Sequence, residues 1–320
     1  MNKELLYRYQ NGTTTVCLYK DGTKERIWEG ELRVDHPESL DVKITNYCDA
    51  GCAFCHEQST TLGKHGDLER LAEVLGVLPP GVEIAIGGGN PLSHPALKDF
   101  LIKLKALGLV VNITINQVHL DSFKNLILDL IAEDLVKGVG ISYTSKTYFP
   151  AIIPILEASD NVVFHLISGI NSVDDIVELQ TLCLTYHRLC KILILGYKEF
   201  GFGLNYYLQS KRIEKNKYQW YIHLPKHFKS DNLILSFDNL AINQLNLKRF
   251  FTDKSWNKFF MGDDFVFTMY IDGVKQVFAP SSTSSNKRVN FNQTSLLDYF
   301  KNKGKVFEES NQNQLDEHSD

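Results

Sequence analysis

Between residues 40 and 203 the chain switches repeatedly between two hydrophobic rhythms, and this constrains its fold more than any other feature. Residues 40–47 alternate as a strand does, and 67–78 carry helical spacing. The same exchange recurs at 82–86 and 95–107, then at 110–116 and 121–135. It continues at 136–144 and 150–158, at 161–170 and 173–186, and ends on a strand at 192–197. Asp121 stands where a helix N-cap is expected, since its carboxylate can accept a free backbone N–H of the first turn. Strands alternating with helices predict parallel βα units in an α/β fold. Six such units close only part of an eightfold barrel, so residues 39–205 are expected to form a partial (β/α)6, TIM-like barrel.

The flanks follow other rules. Residues 6–29 alternate around Asn11-Gly12 and Asp21-Gly22, strong hairpin signals, which predicts an N-terminal β-ribbon over 1–38. Past Gly203 short strands are expected at 233–237, 266–271 and 274–278, with Asp272-Gly273 as a turn; residues 206–305 therefore read as a small α+β C-terminal extension. Of the 38 acidic residues, five (Glu308, Glu309, Asp316, Glu317 and Asp320) fall in 306–320, which has no Lys or Arg and too little apolar content to pack. An acidic, disordered tail is expected there. The rest of the chain carries 34 basic and 33 acidic residues, so no global nucleic-acid footprint exists. No apolar run approaches the roughly 20 residues of a membrane span, and Met-Asn-Lys-Glu-Leu at the N-terminus lacks the apolar core of a secretory signal.

Strand parity says what the sheet encloses. Val42 and Ile44 oppose Lys43 and Thr45; Val111, Ile113 and Ile115 oppose Asn112, Thr114 and Asn116; Val139 and Ile141 oppose Ser142 and Thr144. The apolar set should face the helices and the polar set the concave side. Closed barrels fill that side with branched apolar residues, whereas a polar lining predicts a wet cavity with room for a ligand.

Six cysteines in 320 residues are too sparse to staple a fold, but three crowd into the loop after the first of these strands: Cys48-Asp-Ala-Gly-Cys52-Ala-Phe-Cys55. Thiolates favour soft metals, and these spacings let one loop converge three sulfurs. The spacing admits an iron–sulfur cluster with one open iron, a zinc site completed by His56 or a distant Cys, a Cys52-x-x-Cys55 redox pair, or buried cysteines packed by chance. Cys17, Cys183 and Cys190 read as buried small hydrophobes.

Cys48, Cys52, Phe54 and Cys55 match the C-x3-C-x-aromatic-C loop of the radical S-adenosylmethionine (SAM) enzymes, and Gly87-Gly88-Gly89-Asn90-Pro91, one βα unit later, resembles that family's Gly-Gly-Glu-Pro motif. The chain is therefore similar to radical SAM enzymes over about 40–203. That resemblance implies that Cys48, Cys52 and Cys55 hold three irons of one [4Fe–4S] cluster and that SAM chelates the fourth. Reductive cleavage would then give a 5′-deoxyadenosyl radical that abstracts a substrate hydrogen. It also implies that Phe54 shields the cluster near the adenine and that Gly88, Gly89 and Asn90 meet the SAM amino group. Asn90 replaces the family's Glu, so only backbone carbonyls are carried over there. Ser142, on the fourth strand, and His165, on the fifth, would lie near SAM, the latter near the ribose; the plain alternatives are a satisfied interior hydroxyl and a hydrogen-bonded core imidazole. Lys198 and Glu199, after the sixth strand, could touch substrate or pair in solvent. Family members that modify peptides carry further clusters in Cys-rich extensions; no cysteine follows Cys190 here, so one cluster is expected.

Two substrate classes remain open: a peptide or protein docking on the ribbon or a sheet edge, and a nucleotide or nucleic acid docking on the basic, aromatic stretch 211–229. A small flavodoxin- or ferredoxin-like electron donor and a reducing, cytoplasmic setting go with the radical SAM reading, and no membrane is expected. The competing reading is a non-catalytic zinc- or iron–sulfur-binding protein.

Overall fold

The N-terminal ribbon forms where the glycines place its turns. A computed structural model of the chain describes residues 4–260, 262–284 and 286–303, so the acidic segment 306–320 lies outside the described residues. β1 (Leu5–Asn11), β2 (Thr14–Tyr19) and β3 (Lys24–Trp28) make an antiparallel sheet in that order. Val16, Cys17 and Leu18 bury one stretch of it, and Arg26 leads back to the main body through a charged hydrogen bond of 2.8 Å to the buried Glu38.

The six expected strands and the five helices between them appear in order: β4 (Ser39–Thr45), α1 (Leu68–Leu75), β5 (Glu83–Gly88), α2 (Leu97–Ala106), β6 (Val110–Asn116), α3 (Lys124–Ala132), β7 (Gly138–Ser142), α4 (Phe149–Ala158), β8 (Val162–Ile167), α5 (Asp175–Thr185) and β9 (Cys190–Leu195). Asp67 caps α1 through a 3.0 Å hydrogen bond from Arg70 N–H. Asp121 is not a cap. Asn116 instead caps a 3-10 turn at Gln117–His119, which buries His119 and Leu120, and α3 begins only after Phe123.

The chain then forms α6 (Phe202–Gln209), α7 (Arg212–His223), β10 (Leu233–Phe237), α8 (Asn239–Gln244), α9 (Asp253–Phe259), β11 (Thr268–Asp272), β12 (Val277–Ala279), β13 (Val289–Asn290) and α10 (Leu296–Lys301). These late strands extend the same sheet, whose order is β10-β9-β8-β7-β6-β5-β4-β11-β12-β13. Every pairing from β10 to β11 is parallel, and β11–β12 and β12–β13 are antiparallel. The result is a mixed α/β fold around one large, mainly parallel sheet, open at β10 and β13.

The apolar rows face the helices. Val42, Ile44, Ile84, Ile86, Val111, Ile113, Ile115, Val139, Ile141, Phe164, Leu166, Ile192 and Ile194 are all buried in one core. The other face is polar and stepped by small residues. Gly140 on β7 leaves room for the His165 ring, since a Cβ there would stand 2.7 Å from its Cε1 and Nε2. Asp41, in the middle of β4, is solvent-exposed on that face although it sits between β5 and β11, as a group on the floor of a wet recess does.

The basic, aromatic stretch 211–229 is spent largely on folding. It forms α7 and a 3-10 turn, with Trp220 and Leu224 buried and Trp220 Nε1–H donating to Asn171 O at 2.9 Å. The Arg249 guanidinium covers the Tyr221 ring, and Phe228 sets an edge against Phe250. Tyr218 keeps an open face.

Candidate active site

Residues 46–66 carry the three cysteines across the C-terminal end of β4. The loop is pinned by its own backbone: Cys48 N–H donates to Thr60 O at 2.9 Å, and Cys55 N–H to Cys52 O at 3.1 Å. Phe202 N–H, at the start of α6, donates to Cys55 O at 3.0 Å and ties the loop to the far strand of the unit series. Cys48, Cys52 and Cys55 are free and half-buried. Burial pushes the thiols of Cys48 and Cys52 up, and the neighbouring cysteines add to that.

Polar groups converge on two of the sulfurs. Asn116 Nδ2–H donates to Cys52 Sγ at 3.5 Å. His119 Nε2 lies 3.8 Å from Cys48 Sγ, and its Nδ1 lies 3.4 Å from Asp49 Oδ1. The ligand atoms of Cys48, Asp49 and His119 fall within 4.8 Å of one another. Among the described residues the three cysteine sulfurs form no group that tight.

The glycine run packs against this loop. Gly89 N–H donates to Thr45 O at 2.7 Å and Asn90 N–H to Tyr47 O at 2.6 Å. Gly88 has a φ of +120°, and a Cβ on Gly89 would stand 2.1 Å from Tyr47 O, so only glycine allows the approach. Asn90 is buried, and its side-chain oxygen accepts from Leu92 N–H at 3.2 Å, capping the next turn.

A cavity of about 450 Å³ opens beside the loop. Its wall includes Cys52, Phe54, Asn116, Thr144, Asn171, Asp175, Tyr206 and Arg212. Phe54 meets Tyr206 edge-on, with ring centroids 6.1 Å apart. Cys52 and Phe54 are the expected site residues that reach this wall; Gly88, Gly89, Asn90, Ser142 and His165 stand outside it. Ser142 and His165 do share one register row with Asn116 across β6, β7 and β8, which places all three at one height on the polar face. Burial holds the His165 imidazole down to about 4.

A charged network below the loop gave no sequence signal, because its members come from four distant segments. Lys43 Nζ lies 2.7 Å from Glu57 Oε2 and 3.1 Å from Asp272 Oδ2, and Tyr270 O–H donates to Glu57 Oε1 at 3.1 Å. Burial works against the Glu57 carboxylate, but Lys43 and His56 hold it below the usual range. Burial, with Lys198 and Lys43 adding to it, drives His56 down to about 3. Lys198 Nζ donates to Ser282 Oγ at 2.9 Å and lies 3.4 Å from His56 Nε2, while Glu199 pairs with Lys217 at 3.3 Å.

With the cysteine loop, the glycine run and the cavity described, comparison with known proteins identifies the region that holds the loop and the run. Residues 42–158 match the family model of the radical SAM superfamily. This stretch, somewhat over a third of the chain, is a radical SAM domain. A radical SAM enzyme implies an iron–sulfur cluster and SAM. In structure it is similar to Streptococcus suis SuiB bound to the precursor peptide SuiA, with a TM-score of 0.58 and 15% identity over 83% of this chain and 65% of that one. SuiB bound to S-adenosylmethionine gives a TM-score of 0.57 at 15% identity over the same shares. A further SuiB structure gives 0.59 at 12% identity, over 94% of this chain and 87% of that one. At such identities the likeness is one of fold, and this chain spans only 65% of the first two structures. No curated protein matches it by sequence. No helix among its described residues is long and apolar enough to cross a membrane.

Proposed function

We propose that this radical SAM enzyme binds one [4Fe–4S] cluster through Cys48, Cys52 and Cys55 and holds SAM at the open iron, within a partial (β/α)6 barrel over 39–205 that is preceded by the ribbon 1–38 and followed by the extension 206–305. The observation that carries this reading is the position of three free, half-buried cysteines on one loop beside an open cavity. The donor set fits the group: three soft sulfurs from one loop leave a fourth position for a small molecule.

When bound, the cluster and SAM supply a 5′-deoxyadenosyl radical by reductive cleavage of the sulfonium. The chain's own residues bind, orient and shield. Gly88 and Gly89 let the second strand's end close on the cysteine loop, which would bring their backbone carbonyls to the SAM amino group. The Asn90 carbonyl accepts from Ser93 N–H and O–H at 3.1 and 2.6 Å, and its side chain keeps the cap. Phe54 and Tyr206 meet edge-on in the cavity wall and would pack against the bound cofactor. Ser142 and His165 offer a hydroxyl and a neutral imidazole at the height of Asn116, where the ribose would lie. The Lys43–Glu57 pair fixes the loop after Cys55.

We assign a peptide as substrate in preference to a nucleic acid. The support is the burial of Trp220 and Leu224 in the core and the stacking of Arg249 on Tyr221, which take part of the stretch into the fold. A flavodoxin- or ferredoxin-like donor would supply the electron, and six free cysteines suit a reducing cytoplasm. The competing reading, a single ion bound without catalysis, draws on Cys48, Asp49 and His119.

Anaerobic reconstitution with iron and sulfide, followed by SAM and dithionite, tests the proposal. A brown, air-sensitive protein that forms 5′-deoxyadenosine is expected, and Cys→Ala at 48, 52 and 55 together should abolish both. Full iron retention by the triple variant, or a colourless zinc-loaded wild type that takes no iron, overturns the proposal. Salt-sensitive retention of RNA would shift the substrate assignment to nucleic acid.

A further inference from the structure

We infer that Asn116 is a positioning residue for the cluster, raising its reduction potential through a hydrogen bond to Cys52; the inference rests on Cys52 being a cluster ligand. Amide groups are ambiguous when nothing fixes which end is oxygen. Here the backbone fixes it. Asn116 ends β6, and its Oδ1 accepts from Val118 N–H at 3.1 Å, an acceptor role that only the carbonyl oxygen fills. Nδ2 is thereby turned towards the loop, 3.5 Å from Cys52 Sγ. The strand end, the cap and the amide form one rigid device, because the 3-10 turn that Asn116 caps is buried through Gln117 and His119.

Cys52 needs such a donor. Its sulfur is half-buried, and the Asn116 amide lies within hydrogen-bond reach of it. Hydrogen bonds to cluster sulfurs are among the levers that set iron–sulfur potentials. A donor on Cys52 Sγ draws electron density from the ligand and favours the reduced cluster, the form that gives up an electron to SAM. Asn116 also lines the cavity, so the same residue stands where sulfur and bound cofactor meet.

The test is a redox titration followed by electron paramagnetic resonance on reconstituted protein without SAM. Asn116→Asp keeps the oxygen that caps Val118 but replaces the donor; Asn116→Leu removes the donor without adding charge. Both should keep wild-type iron content and shift the potential to more negative values. Wild-type protein labelled with 15N-asparagine should show a weak hyperfine coupling to the reduced cluster, a readout independent of how well either variant folds. An unshifted potential in both variants at normal iron content, or no coupling in the labelled wild type, overturns the inference while the cluster assignment stands. A wild type that takes no cluster overturns both.

Discussion

Lys43 Nζ lies 3.1 Å from Asp272 Oδ2, although 229 positions separate the two residues. Both are nearly excluded from solvent. The same ammonium meets Glu57 two residues beyond Cys55, so one cation joins β4, the cysteine loop and the hairpin that begins with β11. Removing one partner of such a buried set leaves the others uncompensated, at a cost of about 3–5 kcal/mol.

Lys43→Met should therefore lower stability by about 3 kcal/mol in urea denaturation. It should also lower iron uptake, since it frees Glu57 at the end of the loop. Replacing Asp272 by Asn in the same chain, which removes the charge but keeps an acceptor for Val274 and Lys275 N–H, should recover part of the stability. A single variant within about 0.5 kcal/mol of wild type would show that the network does not hold the loop.

The three consecutive glycines are not equivalent. A Cβ on Gly87 meets nothing nearer than Thr114 Cβ at 4.0 Å, whereas one on Gly89 would stand 2.1 Å from Tyr47 O. Gly87→Ala should fold with a melting temperature close to that of wild type. Gly89→Ala should be severely destabilised or lose iron binding. Equal behaviour of the two would remove the close approach as the reason for the glycine run.

Asn90 separates capping from ligand binding. Asn90→Asp keeps an acceptor for Leu92 N–H and should leave stability and the Kd for SAM near wild type. Asn90→Ala should cost about 1 kcal/mol through the lost cap. A large loss of SAM affinity in the Asp variant at unchanged melting temperature would assign the amide a direct contact with the cofactor.

His165 makes stability depend on pH. Its folded-state value is held down to about 4 by burial, below the ordinary value near 6.5, so the unfolded chain binds a proton that the folded chain refuses. The contribution is complete above pH 6.5 and is lost as pH falls through that window, reaching at most roughly 3 kcal/mol near pH 4. His165→Gln should flatten the stability profile between pH 6.5 and 4. An unchanged slope there would show that the ring is not buried in neutral form.

Much of the fold is written in local rhythm. The six strands from β4 to β9 follow from alternation, and the cysteine loop and glycine run follow from short motifs whose chemistry is carried by neighbours in sequence. What local rhythm cannot carry is partner choice. Residues 233–237 and 266–271 read as short strands, yet nothing in them says that β10 extends the parallel sheet beside β9 or that β11 pairs with β4. The Lys43 network was silent for the same reason, and Asp121 misled because an equally good cap, Asn116, stands five residues earlier in the chain and starts a different turn.

The pairing of β4 with β11 has a consequence for how the molecule is made. The strand that presents the cysteine loop gains its neighbour β5 early in synthesis, but its other neighbour only after Thr268–Asp272 has left the ribosome. Until then Lys43 has no Asp272 and Glu57 no Tyr270. If the three thiols hold a cluster, its loading is timed by topology: a nascent chain can display all three thiols long before it can hold them still.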